Sequence, residues 1–237
     1  MLLGKGVMIN WTNVAPEHRP AYDAWQCREH MVGRVAIPGF LRGRRYIAAI
    51  DERTDDKAQR DFLTLYEVAD LVVLTGADYL AKANNPSPLT LKTTPVVRDS
   101  IRGISRVRAS FGEGMGSAAL TLRFDPQAGR EGELERFLVA QALPACAQRY
   151  DITGAHLIVA DREASDMKPV ERQGRPTDYP NWVVMLEGTS AAAVSNAASA
   201  LLPDAQLATH GSGTSVARDS YVLQFTHLSK RAFGNNT

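Results

Sequence analysis

The sequence predicts an α+β protein made of two successive βαββαβ units, and three observations carry that expectation. Strand-like and helix-like segments follow one another in this order between residues 7 and 111, and again between residues 118 and 225. Landmarks fall at matching places: Cys27 with Cys146, Pro38-Gly39 with Thr153-Gly154, and Phe62 to Glu67 with Trp182 to Glu187. Between the two stretches, Gly112, Gly114 and Gly116 form a flexible joint. The order βαββαβ is the ferredoxin-like signature, and its recurrence is a stronger indication than any single element. The expected units are 1–113 and 117–229, with their sheets face to face in a pseudo-twofold barrel.

Val7 to Trp11 is apolar and followed by turn residues, as a strand requires. Pro16 or Pro20 opens a helix reaching about Met31, because the missing N–H of proline costs nothing in a first turn. Pro38-Gly39 turns the chain into a strand from Phe40 to Ile50, and a charged loop, Asp51 to Asp61, precedes the strand Phe62 to Glu67. Asp70 can cap a helix running to Ala83, and Asn84-Asn85-Pro86 ends it before the strand Ile101 to Phe111. The second unit reads as strand Ala118 to Phe124, helix Arg130 to Arg149, strands Ile152 to Ala160 and Trp182 to Glu187, helix Ala191 to Leu202, and strand Ser215 to Phe225. Arg162 to Asp178, rich in charge with Pro169, Gly174 and Pro176, reads as a mobile surface insertion that could also serve as a lid.

Composition excludes several function classes. A net charge of +1 and a pI near 7.8 offer no global attraction for nucleic acid or an anionic membrane, although Arg42 to Arg45 and Arg98 to Arg108 are local anion-site candidates. No stretch approaches a membrane span, and the N-terminus lacks the pattern of a signal peptide, so a soluble cytoplasmic protein is expected. Two cysteines cannot build a disulfide scaffold or a four-ligand zinc site and read as buried free thiols. The histidines lack metal-ligand spacing, there is no G-x-S-x-G, and the glycines at 112–116 join strand to strand, unlike a dinucleotide loop. No obligatory haem, zinc or nucleotide is therefore expected.

Strand alternation sorts the remaining candidates into two faces. Val7, Ile9, Trp11, Ile47, Ala49, Leu63 and Leu65 would face the helices. Asn10, Thr12, Arg42, Arg44, Tyr46, Thr64 and Tyr66, joined by Arg106 and Arg108, would face the opposite way and line a cavity between the sheets. A one-residue error in any strand swaps the sets. Guanidinium forks and phenols suit a carboxylate or enolate, so Arg44, Tyr46, Tyr66 and Asn10 are the substrate-binding candidates. The alternative is that the arginines pair with Glu67, Glu187 or Asp219 and only join the halves. His30, beside Glu29 and with Arg149 as counterpart, is the general acid or base candidate; the competing reading is a histidine capping its helix end. Trp11, Trp25 and Trp182 read as core.

The series Trp25, Glu29-His30, Pro38-Gly39-Phe40 and Arg44-Arg45-Tyr46 resembles the dimeric α+β barrel superfamily. The resemblance is to proteins related to the ethyl tert-butyl ether degradation protein EthD and to the antibiotic biosynthesis monooxygenases. It covers most of the chain in element order and residues 25–67 in motif. It implies cofactor-free isomerisation, dehydration or oxygenation of a small carbonyl or aromatic compound, with His30 moving the proton and Arg44 and Tyr46 holding the oxyanion. A possible homodimer is part of this expectation. The competing function is a non-catalytic binding or structural barrel, since fold does not fix function. A pocket on which His30 and arginines converge would favour the enzyme, and a filled core the binding or structural protein.

Overall fold

The computed structural model describes residues 1–49, 59–174 and 178–230. In them eight antiparallel strands close into a barrel: β1 (Gly6–Val14), β2 (Phe40–Ala48), β3 (Phe62–Val68), β4 (Val97–Phe111), β5 (Ala118–Phe124), β6 (Ile152–Ala160), β7 (Trp182–Gly188) and β8 (Ala217–Leu228). The order around the barrel is β1-β3-β2-β8-β5-β7-β6-β4. Residues 6–111 thus contribute β4-β1-β3-β2 and residues 118–228 contribute β8-β5-β7-β6, sealed by the β2–β8 and β4–β6 pairings. Closure removes the edges that open sheets leave unpaired. Most of the expected charged loop 51–61 lies outside the described residues, and no helix among the described residues is long and apolar enough to cross a membrane.

Helices cover the outside of the barrel. The first helical run comprises Arg19–Trp25, a wider π-type turn Gln26–His30, and Met31–Val35. It passes the expected end near Met31, so His30 is mid-helix and does not cap a terminus. Gly39, at φ +88°, makes the turn into β2, where a Cβ would meet the Val73 side chain. The single helix expected from Asp70 to Ala83 is two pieces: Asp70 caps a short 3-10 turn, Leu71–Leu74, and Gly76 starts Ala77–Asn84. The chain 131–147 repeats the first run's architecture, with Glu131–Phe137, a π-type turn Leu138–Ala142 and Leu143–Ala147.

Element bounds correct the landmark pairing. Gln26–His30 and Leu138–Ala142 both have five residues, as do Met31–Val35 and Leu143–Ala147, and both are followed by nine-residue strands beginning at Phe40 and Ile152. His30 therefore corresponds to Ala142, not Arg149, and Arg34 corresponds to Cys146. Cys27 is exposed, against expectation, whereas Cys146 is buried and its thiol is pushed up to about 11 by desolvation.

Both faces of the sheet are buried, which is why alternation misassigned them. Val7, Ile9, Trp11, Leu63 and Leu65 point into the barrel, where they meet Ala119, Ile158, Val183 and Met185 from the other half. Met8, Tyr66 and Val68 point outward to Met31, Val35 and Phe40 under the helices. All seven residues of β3 are buried, so its sequence could not show which face was which.

Candidate functional site

A helical stripe and two alternating strands build a cleft on the outer face of the first-half sheet. Tyr22, Gln26, His30 and Arg34 succeed one another at four-residue spacing, and all four line it. Beneath them, Met8, Asn10 and Thr12 of β1, Thr64 and Tyr66 of β3 and Arg102 of β4 form the floor. The register sets Asn10 opposite both Thr64 and Arg102, and Met8 opposite Tyr66. Pro169, Glu171 and Arg172 complete one wall from the far half of the sequence, and the space is about 70 Å³.

The polar groups here are arranged around a buried cation. Arg34, 4% exposed, pairs with Glu171 and lies 5.1 Å over the Tyr79 ring. Burial alone would push the Glu171 carboxyl up, but Arg34, with His30 and Arg102 adding to it, holds it below its ordinary value. His30 Nε2 is 3.9 Å from Glu171 Oε1, and its ring packs on Trp25 at 4.3 Å between centroids. Arg102 donates to the Tyr79 hydroxyl at 2.8 Å. The Tyr66 hydroxyl and Arg34 Nη1 are buried with no hydrogen-bond partner, and burial drives the Tyr66 phenol well above the usual tyrosine range. Two donors, one a charged nitrogen and one a neutral phenol, thus belong to residues that line a single space.

Of the sequence-predicted residues, His30, Tyr66 and Asn10 come together in this cleft, and Arg44 and Tyr46 do not. Arg44 and Tyr46 share the inward face of β2, in register with Leu65 and Leu63, and lie inside the barrel. That interior is filled. Arg44 Nε meets Glu67 Oε1 at 2.8 Å and its Nη1 meets Glu187, which receives His156 Nε2 at 3.0 Å; His156 Nδ1 in turn meets Ser110 Oγ at 2.9 Å. Arg42 binds Glu67 through Nε at 2.9 Å and Nη2 at 2.8 Å. The expected arginine-lined cavity between the sheets is thus an ion-pair network joining the halves. Arg106 and Arg108 are taken up at the surface by Asp161 and Glu135.

This network makes folding acid-sensitive. Burial lowers the His156 pKa, with Glu187 opposing only in part, while Arg44 and His156 overcome the upward push of burial on Glu187 and hold it far below the carboxylate range. The unfolded chain then binds more protons than the folded one as pH falls. Stability should be full above about pH 6.5 and decline below it through His156, then decline further below about pH 4.5 through Glu187. In urea titrations, the His156→Gln variant should lose the first decline and keep the second; an unchanged profile would exclude His156 as its source.

The positions corresponding to the cleft in the second half are apolar. Leu120, Leu122, Val184 and Leu186 stand where β1 and β3 carry Met8, Asn10, Thr64 and Tyr66, and Phe137, Ala142 and Cys146 stand where the helix carries Trp25, His30 and Arg34. These seven residues are packed in one core cluster. The fold therefore does not require a polar cleft. Sequence reasoning missed Arg34 and Glu171 and reached Arg102 only within the anion-site stretch Arg98 to Arg108; the four-residue spacing of Tyr22, Gln26, His30 and Arg34 was the available signal. Glu171 lies in the presumed surface insertion, which instead packs on the barrel, with Ser165 Oγ bonded to both the N–H and the carbonyl of Ile104 at 3.0 Å. Among the described residues no group of three His, Cys, Asp or Glu side chains is placed to hold a metal ion.

No protein-family profile matches the chain, and no curated protein matches it by sequence. Solved structures do. An anthrone oxidase-like protein superposes with a TM-score of 0.66 at 10% identity, over 96% of this chain and 94% of its own. A protein of Fusobacterium nucleatum, provisionally described as a monooxygenase, gives 0.61 at 11% identity, over 96% of each chain. A heme-binding protein from Thermus thermophilus gives 0.52 at 12% identity, over 94% of this chain and 92% of its own. Such neighbours are dimeric α+β barrel proteins, and this chain has the fold they share.

Proposed function

We propose that the chain is a fused pair of ferredoxin-like units, related to the EthD-like and antibiotic biosynthesis monooxygenase proteins, in which the first unit keeps an active site and the second has been filled. The matching strand order of residues 6–111 and 118–228 supports the fusion. The site binds a small carbonyl or aromatic compound. The observation that carries this reading is a pair of buried donors without hydrogen-bond partners, Tyr66 OH and Arg34 Nη1, on two residues that line one cleft. A buried polar group without a partner costs about 1–3 kcal/mol, a cost that a bound oxygen would remove.

The chemistry follows from the same residues. His30, oriented by its packing on Trp25, takes the proton from an acidic C–H or O–H, and the electron pair left behind moves onto the substrate oxygen. Tyr66 and Arg34 donate to that enolate or phenolate, where fixed donors in a buried site act most strongly. Isomerisation, dehydration and oxygenation of such compounds can all begin with this step. Haem, the ligand named for the Thermus neighbour, does not fit the lining: the space is about 70 Å³ and the His30 imidazole lies between Trp25 and Glu171.

The test is Tyr66→Phe. Loss of the hydroxyl should leave stability unchanged or raise it by about 1 kcal/mol, because an unsatisfied group is removed, while weakening a bound phenol or enolisable ketone by about 1 kcal/mol. Calorimetric titration with a panel of such compounds, beside urea unfolding, measures both. A variant that loses stability and keeps affinity would assign Tyr66 to the core alone.

A further inference from the structure

Two spaces meet at one ion pair. The cleft of about 70 Å³ and a neighbouring recess of about 20 Å³ share His30, Arg34 and Glu171 in their linings. Lys82 and Glu29 border the recess, and Glu29 is already engaged by Ser87 and Thr90. Even together the two spaces fall below the cavity of about 150 Å³ that takes up benzene. A ring-sized ligand needs the dividing wall to move.

Glu171 is the part of that wall least held by packing, its turn tied to the helix Ala77–Asn84 by the Val170 N–H donating to Asn84 Oδ1 at 3.0 Å. It sits on the short turn Val170–Arg172, none of whose residues is buried. Arg34 lies on the helix and is held by its packing, so parting the pair shifts the turn. The carboxylate meets Arg34 directly, stands 3.9 Å from His30 Nε2 and feels Arg102. Arg34 and Arg102 are the cations that a ligand anion entering the cleft would use, with the His30 imidazole beside them.

We propose that Glu171 is an internal anion occupying the ligand's anionic subsite in the resting protein, so that the Val170–Arg172 turn is a latch displaced from Arg34 and His30 by a small organic anion. The proposal rests on the ligand-binding reading of the cleft and narrows the ligand to a compound that carries, or binds with, a negative oxygen. A resident competitor lowers apparent affinity by the fraction of molecules in which the latch is open, and removing its charge restores that affinity.

Benzoate and its neutral counterpart benzamide test this by isothermal titration of the whole chain and of its Glu171→Gln and Glu171→Ala variants. Both substitutions should tighten benzoate on the order of tenfold, the effect of removing one competing charge-assisted bond, while benzamide changes less than about twofold. Adding Arg34→Met to either variant should abolish the gain. If benzamide binds all three proteins and benzoate is indifferent to, or weakened by, loss of Glu171, the latch is overturned and the cleft stands. If neither compound binds any of them, both readings fall.

Discussion

Arg44→Met is expected to lower the unfolding free energy by about 3–5 kcal/mol, the cost of breaking a buried ion pair from one side. Arg44 is wholly buried and bridges Glu67 of β3 to Glu187 of β7, across the two halves of the barrel. Removing it leaves Glu67 with Arg42 and Glu187 with a His156 that burial keeps neutral. Glu187 is then a buried carboxylate without a cation. Substituting Glu187→Gln in the same chain removes that charge, so the double variant should recover part of the loss, with a coupling of about 1–3 kcal/mol in a double-mutant cycle. Urea unfolding at neutral pH, with an unchanged m value, measures it. A loss below about 1 kcal/mol in the single variant would mean that the pair behaves like an exposed one. Ligand affinity in the folded fraction should not change, which separates this role from the substrate-binding role that the sequence suggested for Arg44.

The order of strands and helices along the chain was legible because turns and apolar runs punctuate it at regular intervals, and the π-type turn at His30 left no comparable mark. Pro38-Gly39 places β2 correctly, since Gly39 takes a conformation that other residues resist. The faces of β1 and β3 were not legible. A sheet with helices on one side and a second sheet on the other buries both faces, so period-two reasoning groups the residues of β1 and β3 but has no exposed side to say which group meets the helices. Arg44 was open to two readings, a ligand-binding residue or a partner of Glu67 and Glu187 joining the halves, and the barrel holds the second, with carboxylates that lie 23 and 143 positions away in the sequence. Glu171 was hidden by distance too. It reaches the first-half cleft from a segment between β6 and β7, which only closure of the barrel brings there.

His30→Gln should reduce turnover by a factor of about 10² to 10⁴ while changing substrate affinity little, the signature of a group that acts in the transition state. Glutamine keeps the length and polarity of imidazole and can still pack against Trp25 beside Glu171, so the cleft should keep its shape. It cannot accept a proton at neutral pH. The measurement requires a substrate, best found by mass spectrometry of small carbonyl and phenolic compounds incubated with the protein. Once one is converted, kcat and KM are compared for the two proteins. Solvent exchange gives a second readout: an enolisable substrate in deuterated water should take up deuterium with the natural chain and not with the variant, because exchange needs only the proton-transfer step. An equal loss in kcat/KM through KM alone would make His30 a binding residue. Undiminished exchange in the variant would place the base elsewhere in the lining, leaving Glu171 as the next carboxylate to examine.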